Sequence, residues 1–150
     1  MREKITALNE AHYVFLNGKK NTSIENQILK INNSLKIFYI NYELKNINEF
    51  EKKKVISFAG IGNPINFFDL LKKNNVNVLE EVSFPDHYNY SKEELENLSK
   101  KALKNNSILL TTEKDYLRIN EKNRQNISFL KIRVDIKNKE KLVEELKKVI

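Results

Sequence analysis

His87 and Asp86 stand side by side in "FPDHYNYSKEEL" (84–95), in a chain that has only two histidines. An imidazole takes or gives a proton near neutrality, and an adjacent carboxylate orients it, so the pair suits acid–base work. The competing account is an ordinary surface Asp-His pair, because no nucleophile adjoins it. No second His or Glu falls at a metal-ligand spacing, so no metal site is expected. The other histidine, His12, lies in an apolar run and reads as a buried, hydrogen-bonded imidazole.

Two more segments carry chemistry-bearing side chains. "TTEKD" (111–115) gathers two hydroxyls, two carboxylates and an amine. Such a group orders a phosphate or simply caps a helix. Lys114 there is a compact cation suited to phosphate, or to water. "AGIGNP" (59–64) sets two glycines before a helix start, where free N–H groups favour an anion. It lacks the third glycine of a dinucleotide fingerprint, and no GxxxxGK[ST] occurs in the chain. A tight turn needing glycine torsions is the simpler account.

The elements that must hold these segments are legible from hydrophobic periodicity. Strands are predicted over 12–18, 35–44, 54–60, 76–84, 106–112 and 127–134, the third and fifth as continuous apolar runs of a buried parallel sheet. Thr22 and Glu25 have capping-box spacing before Ile24, Ile28 and Ile31; Ser91 and Glu94 repeat it before Leu95, Leu98 and Ala102. Asn63 and Pro64 begin a helix with Phe67, Phe68, Leu70 and Leu71 inside. Leu142, Leu146 and Val149 form the stripe of a last helix, and 43–54 reads as an exposed connection. Alternating strands and helices predict one α/β domain over 1–150, a three-layer α/β/α arrangement around a mostly parallel sheet, Rossmann-like. The three polar segments then share the carboxyl ends of the strands, where ligands bind in such sheets.

Composition narrows the class. The 150 residues are 40% hydrophobic and 31% charged, which describes a folded protein. Without Cys there is no disulfide framework or thiolate site. No apolar run reaches the ~20 residues of a membrane span, and the first residues lack a signal-peptide core. The net charge of +7 favours anionic partners. No nucleic-acid motif accompanies it, so nucleic acid is not the expected partner.

The segments "FAGIGNPINFFDLLKKNNVNV", "FPDHYNYSKEEL" and "LLTTEKD", in this order and spacing, resemble the carboxy-terminal half of the tetraacyldisaccharide 4'-kinase family. "REKITALNEAHYVFLNG" (2–18) resembles the family's stretch from an Arg-Glu pair to an Asn-Gly turn. The family phosphorylates the lipid A precursor of Gram-negative bacteria. The resemblance implies a chain without the amino-terminal P-loop half, which holds ATP and Mg2+ and carries the catalytic Asp. It implies that His87, with Asp86 beside it, pairs with that Asp across a cleft. It places Arg2 and Glu3 near nucleotide and acceptor, and gives Thr112, Lys114 and Asp115 a structural or phosphate-facing role. Where the family has a second His, this chain has Tyr88. An anionic glycolipid at the membrane surface and the P-loop half are the implied partners, and the cytoplasmic face of the inner membrane the implied location. The other function class open to the chain is an α/β binding module that has lost its chemistry.

Overall fold

A computed structural model of the chain describes residues 3–148. They fall into two compact units. The first comprises residues up to Glu43 and from Arg133 onward; the second is Leu44–Ile132.

The second unit holds β3 (Lys54–Ala59), β4 (Asn77–Ser83), β5 (Ile108–Thr112) and β6 (Ile127–Leu130), hydrogen-bonded in the order β4-β3-β5-β6. All three pairings are parallel. Alternation along β3 divides its side chains between two cores. Val55 and Ala59 pack with Phe67, Phe68 and Leu71 of helix α2 (Pro64–Lys73). Ile56 and Phe58 pack with Leu95, Leu98 and Ala102 of helix α3 (Lys92–Lys104). Leu109 and Leu110 of β5 divide the same way. Burial on both faces is what the continuous apolar runs demand, and the α/β/α layering follows.

Both helix starts obey their sequence signals. Asn63 accepts the Asn66 N–H with Pro64 at the first helical position. Ser91 and Glu94 close a reciprocal capping box. The connection at 43–54 is not wholly exposed: a 3-10 turn at Ile47–Phe50 turns Phe50 into the α2-side core. At the two ends of this unit, the Lys45 N–H meets the Lys131 carbonyl at 2.9 Å. Asn46 adds two bonds there, accepting the Lys131 N–H at 2.7 Å and donating to the Phe129 carbonyl at 3.0 Å.

The first unit is a three-stranded sheet, β1 (Tyr13–Asn17), β2 (Lys36–Leu44) and β7 (Ile132–Ile136), with β2 central. β1 and β2 are parallel, joined through helix α1 (Thr22–Ile31). Helix α5 (Lys139–Lys147) follows β7. Three details depart from the sequence expectation. The cap of α1 is Asn21, which accepts the Ile24 N–H at 3.1 Å, so Thr22 is already helical. His12 precedes β1 and is exposed, so it is not a core imidazole. The last predicted strand is two strands, interrupted at Lys131. Leu142 is buried and Leu146 exposed; Val149 lies outside the described residues.

Candidate functional site

The three polar segments do converge, at the carboxyl ends of β3, β4 and β5. The segment 111–115 runs from the end of β5 into a helix. Thr111 ends inside the sheet, fully buried, and its hydroxyl donates to the Phe58 carbonyl at 2.8 Å. Thr112 caps a short helix α4 (Glu113–Arg118) by accepting the Asp115 N–H. The helix returns the Asp115 carboxylate towards the strand it came from, with no exposed surface.

That carboxylate is well supplied with donors. Its Oδ2 accepts the Gly60 N–H at 3.1 Å and the Thr112 hydroxyl at 2.7 Å. Arg118, one turn further along α4, comes to 3.5 Å of Oδ1. A buried carboxylate survives only with such partners. The role of Asp115 is therefore to fix the turn after β3. Lys114 is exposed and without an ion pair among the described residues.

Gly60 is gripped from both sides of its backbone. Its carbonyl accepts from Arg118 at 3.2 Å and from the His87 N–H at 3.1 Å. A methyl group at Gly60 would stand 2.8 Å from the Tyr90 Oη and 3.1 Å from both the Pro85 carbonyl and Tyr88 Cβ. Close packing thus requires this glycine. At Gly62 the nearest atom, Asp86 Oδ2, would be at an ordinary 3.5 Å.

His87 sits in the left-handed region, φ 62°, with its side chain 70% exposed. Arg118 Nη2 reaches His87 Nδ1 at 2.8 Å. Asp86 Oδ2 stands 3.8 Å from Nε2, beyond hydrogen-bond reach. The residue that orients the imidazole is consequently Arg118, which the sequence analysis did not single out. Its one signal was a position three residues after Asp115, on the same face of α4.

Beneath the turn lies an aromatic cluster of Phe58, Phe84, Tyr88 and Tyr90. Tyr88 donates to Glu94 Oε1 at 2.6 Å. That bond raises the Tyr88 pKa and, with help from Ser91, lowers that of Glu94. The Tyr90 hydroxyl is buried with no hydrogen-bond partner among the described residues. Burial, and then the Asp115 charge, push its pKa well above the usual phenol range.

Of the remaining expected residues, Arg2 lies outside the described residues, and Glu3 is exposed in the first unit. That unit has its own cavity of about 670 Å3, bordered by Lys20, Lys36, Tyr39, Lys137, Lys141 and Glu145. Lys36 and Lys148 both bind Glu145 and hold its carboxyl down at about 2.

Residues 1–150 match the family model described as Tetraacyldisaccharide-1-P 4'-kinase. The tetraacyldisaccharide 4'-kinase of Pelagibacter ubique is 37% identical over 152 aligned positions, covering 99% of this chain and 48% of the relative. Its namesakes in Rickettsia akari and Rickettsia bellii are 37% and 38% identical, each over 93% of this chain and 42% of their own length. The chain spans about half the length of the curated relatives it matches. The crystal structure of an "apo" form of LpxK from Aquifex aeolicus in complex with ATP has the same fold: TM-score 0.63, 23% identity, 99% of this chain and 46% of that one.

Proposed function

We propose, for a chain that belongs to the tetraacyldisaccharide-1-P 4'-kinase family, that it supplies one half of a lipid A precursor kinase. The completed enzyme transfers the γ-phosphate of ATP to the 4'-hydroxyl of tetraacyldisaccharide 1-phosphate. This chain contributes His87, presented on the rim of the second unit to a carboxylate of the other half. The observation that carries this assignment is the oriented, exposed imidazole at the carboxyl end of a parallel sheet.

The residues present do not make a cradle for ATP and Mg2+. No GxxxxGK[ST] occurs in the sequence. Among the described residues no group of three or more His, Cys, Asp or Glu is placed to hold a metal. Phosphoryl transfer depends chiefly on positioning and charge neutralisation around that cradle. In this reading the chain by itself is inactive, and the half of the family's length that it does not match supplies nucleotide binding. Asp86 lends negative charge beside the ring, and Lys114 is placed in solvent where an anionic headgroup can reach it. The +7 charge suits an anionic glycolipid at the cytoplasmic face of a membrane.

The test is reconstitution. The purified chain is mixed with a separately produced P-loop half of a relative, and ATP-dependent phosphorylation of the lipid is measured. Activity should need both parts and should fall about 10²-fold in His87→Ala. Phosphorylation by the chain alone, or full activity in His87→Ala, would refute the assignment. A stable but inactive complex of the two halves would favour the binding-module alternative.

A further inference from the structure

We infer that Arg118 is a positioning residue that locks His87 as the neutral tautomer protonated on Nε2, with that N–H turned outward. The inference deepens the kinase assignment by stating in which form the ring meets its partner carboxylate.

Donors and acceptors decide the tautomer. A guanidinium carries five N–H donors, no acceptor, and keeps its charge in proteins. Its Nη2 lies 2.8 Å from His87 Nδ1. Nδ1 must then offer a lone pair, which excludes both the Nδ1–H tautomer and the doubly protonated ring while this bond stands. The proton of the neutral ring is on Nε2. Asp86 Oδ2, at 3.8 Å, is too far to take it, so the Nε2–H stays available on a ring that is 70% exposed.

Arg118 is built in rather than draped over the surface. Its side chain is 21% exposed, and Nη1 is shared between the Gly60 carbonyl at 3.2 Å and Asp115 Oδ1 at 3.5 Å. The backbone of His87 is tied to the same Gly60 carbonyl. Ring and main chain of one residue are thus held against a single turn, and that turn is fixed by Asp115 from beneath. A ring so placed donates to a carboxylate and does not take a proton from the substrate. Proton abstraction falls to the partner carboxylate, whose orientation the Nε2–H sets.

The experiment reads the ring directly. The uniformly 15N-labelled full chain is recorded above neutrality in a long-range proton–nitrogen correlation, with the His87 signals identified by their loss in His87→Gln. The expected result is a lone-pair shift for Nδ1 and an N–H shift for Nε2. In Arg118→Met both shifts should move towards the average of two exchanging tautomers, and Arg118→Lys, which keeps a donor, should restore part of the separation. An Nδ1–H signal in the wild-type chain would overturn the inference even if no variant folded. Unchanged His87 shifts in a folded Arg118→Met would overturn it as well. Because the shifts are recorded on the chain without its complement, a failed reconstitution and a failed tautomer lock are separate results.

Discussion

Asp115 accepts the Gly60 amide at 3.1 Å across 55 residues of sequence, so a carboxylate with no exposed surface fixes the turn after β3. Asp115→Ala would leave that amide and the Thr112 O–H without an acceptor and the Arg118 guanidinium without its anion. Hydrogen bonds to charged groups contribute ~1.5–3 kcal/mol each. The expected loss is about 3 kcal/mol or more, read from urea denaturation, with a smaller loss for Asp115→Asn. A change below about 1 kcal/mol in the alanine variant would contradict the bonding described.

Gly60 and Gly62 should answer differently to the same methyl group. At Gly60 the contacts of 2.8 and 3.1 Å include backbone and a packed ring, and Gly60→Ala is expected to cost about 1–3 kcal/mol. At Gly62 the nearest contact is 3.5 Å, and Gly62→Ala should be within about 0.5 kcal/mol of wild type. Paired thermal melts decide it.

The 2.8 Å neighbour is the Tyr90 hydroxyl, buried without a hydrogen-bond partner among the described residues. Removing a polar atom that makes no hydrogen bond is neutral or stabilising. Tyr90→Phe should therefore not lower the melting temperature, and it should recover part of the loss in Gly60→Ala. A marked destabilisation by Tyr90→Phe alone would show that the hydroxyl is bonded after all.

Glu145 gives the fold an acid-sensitive contact. Its carboxyl is held at about 2, down from 4.5, first by Lys36 and then by Lys148. A depressed carboxylate contributes stability above its unfolded pKa, and that contribution is lost as pH falls from about 4.5 through about 2. Wild type should exceed Glu145→Gln in denaturation midpoint at neutral pH, and the two should draw together below about pH 4.5 and meet only near about pH 2. Curves that stay parallel down to that pH would dismiss the contact.

The first unit exposes much of its apolar surface. Among its described residues Ile28, Leu35, Phe38 and Leu142 are buried, while Phe15, Ile24, Val143 and Leu146 are among those exposed. Its sheet ends at β1, hydrogen-bonded on one side to β2. Such a surface invites association. Val143→Lys with Leu146→Lys should reduce self-association in sedimentation and weaken binding of a P-loop half by roughly tenfold or more. Equal binding would move the docking surface elsewhere.

What the sequence made legible was local. The apolar run of β3, the Asn63-Pro64 start and the Ser91–Glu94 box act over a few residues, and each stands where its pattern put it. α4 was legible only as one of two readings of 111–115, because its six residues carry no apolar stripe and Thr112 serves strand and cap at once. Asn21 and Thr22 are both good caps, and the Glu25 spacing favoured the wrong one. Phe50 looked exposed because one aromatic among lysines has no periodicity. The hold of Arg118 on His87 and Gly60 spans 31 and 58 residues, a juxtaposition that no spacing rule contains.

Lys45 and Lys131 bring the beginning and end of the second unit within one hydrogen bond, and Asn46 doubles the seam. A stretch whose two ends meet in this way behaves as a cassette: the chain enters and leaves by the same doorway. Residues 44–132 excised as a separate polypeptide should keep their parallel sheet, and their ends should accept a short peptide link that moves the termini to a loop elsewhere. Such a permuted cassette would offer His87 to solvent with the first unit removed altogether.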